Sequence, residues 1–259
     1  MAVQCSSSSR FDILPSLIGG SWEFGERLAQ SVREHAQLLG DEARDELQEI
    51  LWADLFSEYD ARYLSAYMRS LRAPLSDHFW ACEERWAKDE ELHYLGFRRI
   101  YGAAFGRSAE SLELELAARS AQVDFEPIAD LFEDEFASAC LLAYDELATV
   151  RAYRANYERY ALLGPELMKF IRKVTADEGR HFRNFMKLLR EGHSQRLPEL
   201  PTIIARIRGR EGQPYGNTFV LDHDDGVWSD TLFDEAAAVL LRRLVPCQAR
   251  SSKLSSQAH

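Results

Sequence analysis

Residues 90–93, Glu-Glu-Leu-His, and 178–181, Glu-Gly-Arg-His, repeat one pattern: a glutamate and a histidine three residues apart. Each pattern is preceded at the same interval, 32 residues, by another glutamate, Glu58 in LFSEYDARYL and Glu146 in LAYDELATVR. Three residues along a helix bring side chains back to one face, so each glutamate–histidine pair projects together. A turn near Arg72 to Pro74 places positions 58 and 90 at one level of an antiparallel helix pair, and a turn near Gly164 does the same for 146 and 178. Four carboxylates and two imidazoles then meet midway along four helices, a donor set that holds two irons or two manganeses between facing helices. Oxygen-rich ligation with one nitrogen per metal suits those ions better than zinc or copper. A single Glu-x-x-His among seven histidines is a chance event, but two copies with matched upstream partners are not. Burying these acids unpaired would cost several kcal/mol each. Glu58, Glu90, His93, Glu146, Glu178 and His181 are therefore read as metal ligands.

The rest of the chain supports long helices. Helical periodicity runs from about residue 22 to residue 192, with proline and glycine confined to the joints, and predicts helices near 22–39, 41–72, 75–105, 108–120, 127–162 and 165–192. Gly164-Pro165 reads as a helix start with proline in the first position. The expected fold is all-α, a ferritin-like four-helix bundle with additional flanking helices and a C-terminal cap. The expected division is a mobile segment over 1–20, the di-iron bundle over 21–192, a cap with a docking helix over 193–245, and a mobile tail over 246–259. Within the cap, the proline- and glycine-rich stretch after Gly192 argues against further bundle helix, NTFVL reads as a short strand, and a last helix is expected at about 230–245.

Around the ligands, Asp89 and Asp177 each precede a ligating glutamate. From there an acid can accept the second ring N–H of the histidine on the opposite motif helix and fix its tautomer. Thr149 lies three residues after Glu146, where the first hairpin has Ala61, so a hydroxyl is expected beside one metal only; it can deliver a proton or bond its own backbone. Tyr144, Tyr59 and Trp86 are read as core aromatics. The histidines at 35, 78, 193, 223 and 259 lack such company and are read as surface groups.

Composition excludes other classes. A formal net charge of −11 argues against nucleic acid, which needs a basic face. No apolar run approaches the length of a membrane span. Four cysteines, at 5, 82, 140 and 247, form no CxxC pair, and the N-terminus lacks a secretory pattern; a reducing cytoplasm is expected. Arginine clusters at 98–99, 151 with 154, and 206, 208 and 210 suit an acidic carrier protein or are solvated faces.

The motifs TADEGRHFRNFMKLLR, WAKDEELH and DELAT resemble those of the soluble acyl-carrier-protein desaturases, within the ferritin-like di-iron superfamily, over about Asp41 to Gly192. The first is similar to that family's last motif, the second keeps a tryptophan four residues before the ligating glutamate, and the third places a threonine three residues after one. The resemblance makes the six residues above iron ligands and Thr149 the threonine of oxygen activation. It implies two Fe ions (Mn being the alternative), O2 as co-substrate, a ferredoxin-type external electron donor, and an acyl chain on an acyl carrier protein to be desaturated or hydroxylated. A homodimer is the expected assembly. Ferritins, ribonucleotide reductase small subunits and aryl-amine oxygenases place similar ligands at similar intervals. An N- or C-oxygenase on a small metabolite and a non-enzymatic iron-handling protein therefore stay open. No flavin or nicotinamide fingerprint is present.

Overall fold

Caps and glycines set the helix limits in the computed structural model, which describes residues 13–15, 25–71, 74–212, 221 and 229–244. Every regular element among them is helical: α1 (Glu26–Ala36), α2 (Asp41–Ser70), α3 (Asp77–Phe105), α4 (Ala109–Ser120), α5 (Glu135–Ala155), α6 (Tyr157–Ala161), α7 (Pro165–Gly192), α8 (Leu200–Arg208) and α9 (Asp230–Leu244). The Ser76 hydroxyl accepts from the Phe79 amide at the start of α3, and the Asp134 carboxylate accepts from the Ala137 amide at the start of α5, each satisfying a donor that the first turn leaves free. Helix α3 stops at Gly106 with φ +71°, the left-handed region that glycine enters without steric cost. Gly164, φ +95°, has a second constraint, because a Cβ there would stand 2.7 Å from the His35 imidazole.

Helices α2, α3 and α7 are 30, 29 and 28 residues long, close to the reading from periodicity. The expected helix over 127–162 is instead three pieces. A 3-10 turn over Glu126–Phe132 contains Pro127, the extended Asp134 restarts the chain as α5, and Asn156, at φ −92° and ψ 3°, separates α5 from α6. An N-capping aspartate inside the predicted helix was the local signal for that restart. The cap is also more helical than expected. A 3-10 turn over Ser194–Glu199 leads into α8, which tolerates Pro201 because its first turn needs no amide donor there. The NTFVL strand apart from Leu221, the tail over 246–259 and most of the 1–20 segment lie outside the described residues. Within that segment the Leu14 amide donates to Asn184 Oδ1 at 3.0 Å, so residues 13–15 dock on α7.

Helices α2 and α3 pack as one antiparallel hairpin, α5 and α7 as a second, and α3 meets α7 between them. Helices α8 and α9 cover α5, which explains why Phe136 through Glu146 are buried without interruption and why α5 shows no polar stripe. Two apolar clusters fill the interior. One holds Leu64, Phe79, Trp86, Tyr144 and Phe185; the other holds Leu51, Leu55, Phe97, Phe170 and Val174. On each long helix the predicted ligands fall where one cluster gives way to the other, forming a polar layer sealed above and below. No described helix is long and apolar enough to cross a membrane.

Candidate metal centre

All six predicted ligands converge in that layer, and each is at most 6% exposed. His93 Nδ1 lies 3.3 Å from Glu58 Oε2, 3.1 Å from Glu178 Oε1 and 3.8 Å from Glu90 Oε2. His181 Nδ1 lies 2.9 Å from Glu178 Oε2, 3.2 Å from Glu90 Oε1 and 3.2 Å from Glu146 Oε2. The ring centroids are 6.1 Å apart. Two groups that could each hold a metal ion result, Glu58 with Glu90, His93 and Glu178, and Glu146 with Glu90, Glu178 and His181. Within each, one ligand atom per residue lies within 4.8 Å of the others. Glu90 and Glu178 belong to both groups, while Glu58 and Glu146 each belong to one.

The fit of a cation can be judged from what the protein leaves unsatisfied. Glu58 Oε2, Glu90 Oε1, Glu178 Oε1 and His93 Nδ1 are buried without a hydrogen-bond partner. Buried polar atoms are almost always paired. Here the unpaired ones face one another across a gap of ligand dimensions, which is what a donor set built around cations requires.

Without cations the cluster redistributes protons. Burial and the neighbouring Glu90 carboxylate push Glu58 up to about 8. Burial, with Glu178 adding to it, holds Glu146 well above the carboxylate range against the pull of His181. Burial opposes charge on the imidazoles, yet Glu178 and Glu58 hold His93 well above its ordinary value, and Glu146 and Asp89 do the same for His181. Glu90 goes the other way: burial and Glu178 would raise it, but the neighbouring His181 and His93 imidazoles bring it down. Protons thus occupy the place of positive charge, and cation binding must displace them.

The outward nitrogens face the two expected aspartates, each across the motif helices. His181 Nε2 lies 3.2 Å from Asp89 Oδ2, and His93 Nε2 lies 3.9 Å from Asp177 Oδ2. Asp177 also faces Arg180, whose Nη1 is 3.5 Å from Oδ1. Thr149 stands half-buried one turn beyond Glu146 and takes part in no hydrogen bond among the described residues, whereas Ala61 is buried. Trp86 and Tyr144 belong to one apolar cluster and Tyr59 to the other.

Sequence reasoning missed Tyr153. Its hydroxyl donates to Glu58 Oε1 at 2.5 Å, and its buried ring stacks on Phe97 with centroids 6.0 Å apart. A signal existed, because residue 153 is two turns beyond Glu146 and shares its helix face. Two histidines read as surface groups have structural contacts instead: His193 Nε2 is 2.8 Å from Glu135 Oε1, and His35 Nδ1 is 2.8 Å from the Ser31 carbonyl. The patch at 206, 208 and 210 is internally neutralised, by Asp130 for Arg206 and Arg210 and by Asp230 and Asp234 for Arg208. Arg98 pairs with Glu113 and Arg151 with Glu235, so these arginines belong to the fold's own ion pairs.

No protein-family model, curated protein or solved structure matches the chain.

Proposed function

We propose that the protein is a ferritin-like di-iron oxidoreductase that uses O2 to oxidise an organic substrate, with an acyl chain on an acyl carrier protein as the preferred substrate class. The observation that carries this reading is the pair of four-residue groups sharing Glu90 and Glu178, buried between two apolar clusters with ligand atoms unsatisfied. In that reading Glu58 and His93 would complete one iron position and Glu146 and His181 the other, with Glu90 and Glu178 contributing to both. Two reduced irons in such a site supply O2 activation and removal of hydrogen from an unactivated C–H bond.

The chain's own residues supply everything around that chemistry. The apolar clusters exclude water, the aspartates orient the imidazoles so that Nδ1 faces inward, and Tyr153 holds one oxygen of Glu58. Thr149 is the candidate proton donor on the Glu146 side. The test begins with anaerobic ferrous titration, in which two equivalents per chain are expected. The loaded, reduced protein is then exposed to air with candidate acyl-carrier and free substrates, and their intact masses are measured. Loss of two hydrogens marks desaturation and gain of one oxygen marks oxygenation. Failure to bind iron overturns the reading, and iron oxidation with every substrate mass unchanged reduces it to iron handling.

A further inference from the structure

Laid over one another, the two motif copies match Asp89 with Asp177, Glu90 with Glu178 and His93 with His181, but they differ at the two positions between glutamate and histidine. Glu91 stands where the second copy has Gly179; it is exposed and pairs with Arg62, so this difference stays on the surface. Leu92 stands where the second copy has Arg180, and this difference reaches inward. Leu92 is half-buried against the apolar cluster of Leu55, Phe97 and Phe170. Arg180 lies three residues after Asp177 and on its side of the helix. Its Nη1 is 3.5 Å from Asp177 Oδ1 and donates to the Ala176 carbonyl at 3.0 Å.

The two aspartates behind the imidazoles therefore carry different loads. Asp89 Oδ2 is hydrogen-bonded to His181 Nε2 at 3.2 Å, its Oδ1 is buried without a hydrogen-bond partner, and among the described residues no lysine or arginine pairs with it. Its negative charge acts on His181. Asp177 divides its charge, with Oδ2 3.9 Å from His93 Nε2 and Oδ1 toward the Arg180 guanidinium. A carboxylate on the outward nitrogen makes an imidazole a stronger metal donor, and a cation on the same carboxylate withdraws part of that effect. Tyr153 works in the opposite sense, since it holds Glu58 in place, an effect of about tenfold. Carboxylate partners of a ligating histidine are worth roughly 10- to 100-fold, so the imidazole side decides which half binds more tightly.

We propose that the centre fills in order, with the first divalent cation in the Glu146–His181 half and the second in the Glu58–His93 half, and that Arg180 sets the gap in affinity by drawing Asp177 away from His93. The proposal rests on the two-metal reading. Glu90 and Glu178 belong to both groups, so the first cation engages carboxylates that the second must share, and like charge at close range adds to the gap. Arg180 is a positioning residue that acts through Asp177. It fixes the cation concentration at which the centre becomes complete; below that concentration the chain holds one cation, without the neighbour that two-electron chemistry requires.

The probe is Mn2+ alone, titrated anaerobically into the full chain and followed by electron paramagnetic resonance, which separates an isolated Mn2+ from an exchange-coupled pair. At one equivalent the parent protein is expected to show isolated Mn2+, with the coupled signal growing in on the second equivalent. In Arg180→Leu, which copies the first motif, the second step should tighten about threefold or more, a part of the roughly 10- to 100-fold that such partners command, while the first step changes little. Arg180→Lys keeps the charge and should stay near the parent. Arg172→Leu removes an exposed arginine elsewhere on α7 and should move both steps equally or not at all, the result for a general loss of positive charge. His93→Ala should keep the tight step at the parent affinity, and His181→Ala should lose it; helical circular dichroism checks that each variant folds. A second step that weakens or stays unchanged in Arg180→Leu overturns the proposal, because Arg180 then only braces Asp177. So do coupled pairs at one equivalent, or equal losses in the two histidine variants, and in these cases the two-metal reading stands. Absence of Mn2+ binding in the parent protein removes the two-metal reading and the order of filling together.

Discussion

The α2–α3 hairpin and the α5–α7 hairpin carry the same glutamate–histidine pattern at the same spacing but surround it differently. Glu58 of the first is tied to the Tyr153 phenol, and among the described residues no tyrosine hydroxyl reaches Glu146 of the second. The position in α2 that matches Tyr153 is Ser65, whose hydroxyl donates to Glu83 and leaves the centre alone. The histidines differ in the opposite sense. His181 has Asp89 at 3.2 Å, while His93 shares a more distant Asp177 with Arg180. A repeated sequence therefore gives two similar groups that could each hold a metal ion, and their neighbours make the two groups chemically distinct. One position has its terminal carboxylate pinned, the other its imidazole.

The largest test of this division is removal of what the halves share. Glu90→Ala or Glu178→Ala is expected to abolish binding at both positions, whereas Glu58→Ala or Glu146→Ala should leave about one metal per chain. Metal analysis after equilibrium dialysis distinguishes these outcomes, and one metal retained in Glu178→Ala would break the assignment of shared ligands.

A smaller effect should separate the aspartates. Partners of this type are worth about 10- to 100-fold in metal affinity. Asp89→Asn is expected at the upper end of that range and Asp177→Asn at the lower, because Asp177 is farther from its histidine. Competitive chelator titration of both variants checks the order, and a reversed order would show that distance to the imidazole is not what matters.

Tyr153→Phe should weaken one metal position by about tenfold, the value of a lost hydrogen bond to a charged group, and leave the other unchanged. Ser65→Ala, the matching change in the first hairpin, should leave both metal affinities intact. A uniform loss at both positions in Tyr153→Phe would point to damaged packing instead of a loosened Glu58.

The smallest expected effect is on the metal-free protein. Glu58 rises from an ordinary carboxylate value to about 8, and Glu146, His93 and His181 also lie above their ordinary values. Groups with raised folded-state pKa values stabilise most when protonated, and that contribution is lost as pH rises through the folded value. The thermal midpoint of the metal-free chain should therefore fall between about pH 5 and pH 8, by on the order of 5 °C. Bound metal should flatten the dependence, since cations replace the protons. A metal-free midpoint that climbs over this range would contradict the proton-filled centre.

Much of this was legible in the residues. Positions 58, 90, 93, 146, 178 and 181 could be grouped from spacing alone, because each Glu-x-x-His shares one helix face and each upstream glutamate stands at the same interval of 32 residues. Even the crossing of each aspartate to the opposite histidine followed from helix geometry. What escaped had physical causes. Asp134 and Asn156 divide one predicted helix: the Asp134 carboxylate bonds the Ala137 amide and restarts the chain, and Asn156 leaves the helical backbone at φ −92° and ψ 3°, single-residue events that a periodicity window averages away.

The sequence by itself determined the helical architecture of the described residues and the cluster of four glutamates and two histidines, because the period of 3.6 residues and the repeated intervals are properties of the chain alone. Only the tertiary structure decided which donors are shared, which oxygen Tyr153 holds, how far each aspartate stands from its histidine, and which arginines find an acid. Those outcomes depend on how one helix is rotated and shifted against the next. That docking is set by the packing of whole apolar faces, and no local stretch of residues encodes it.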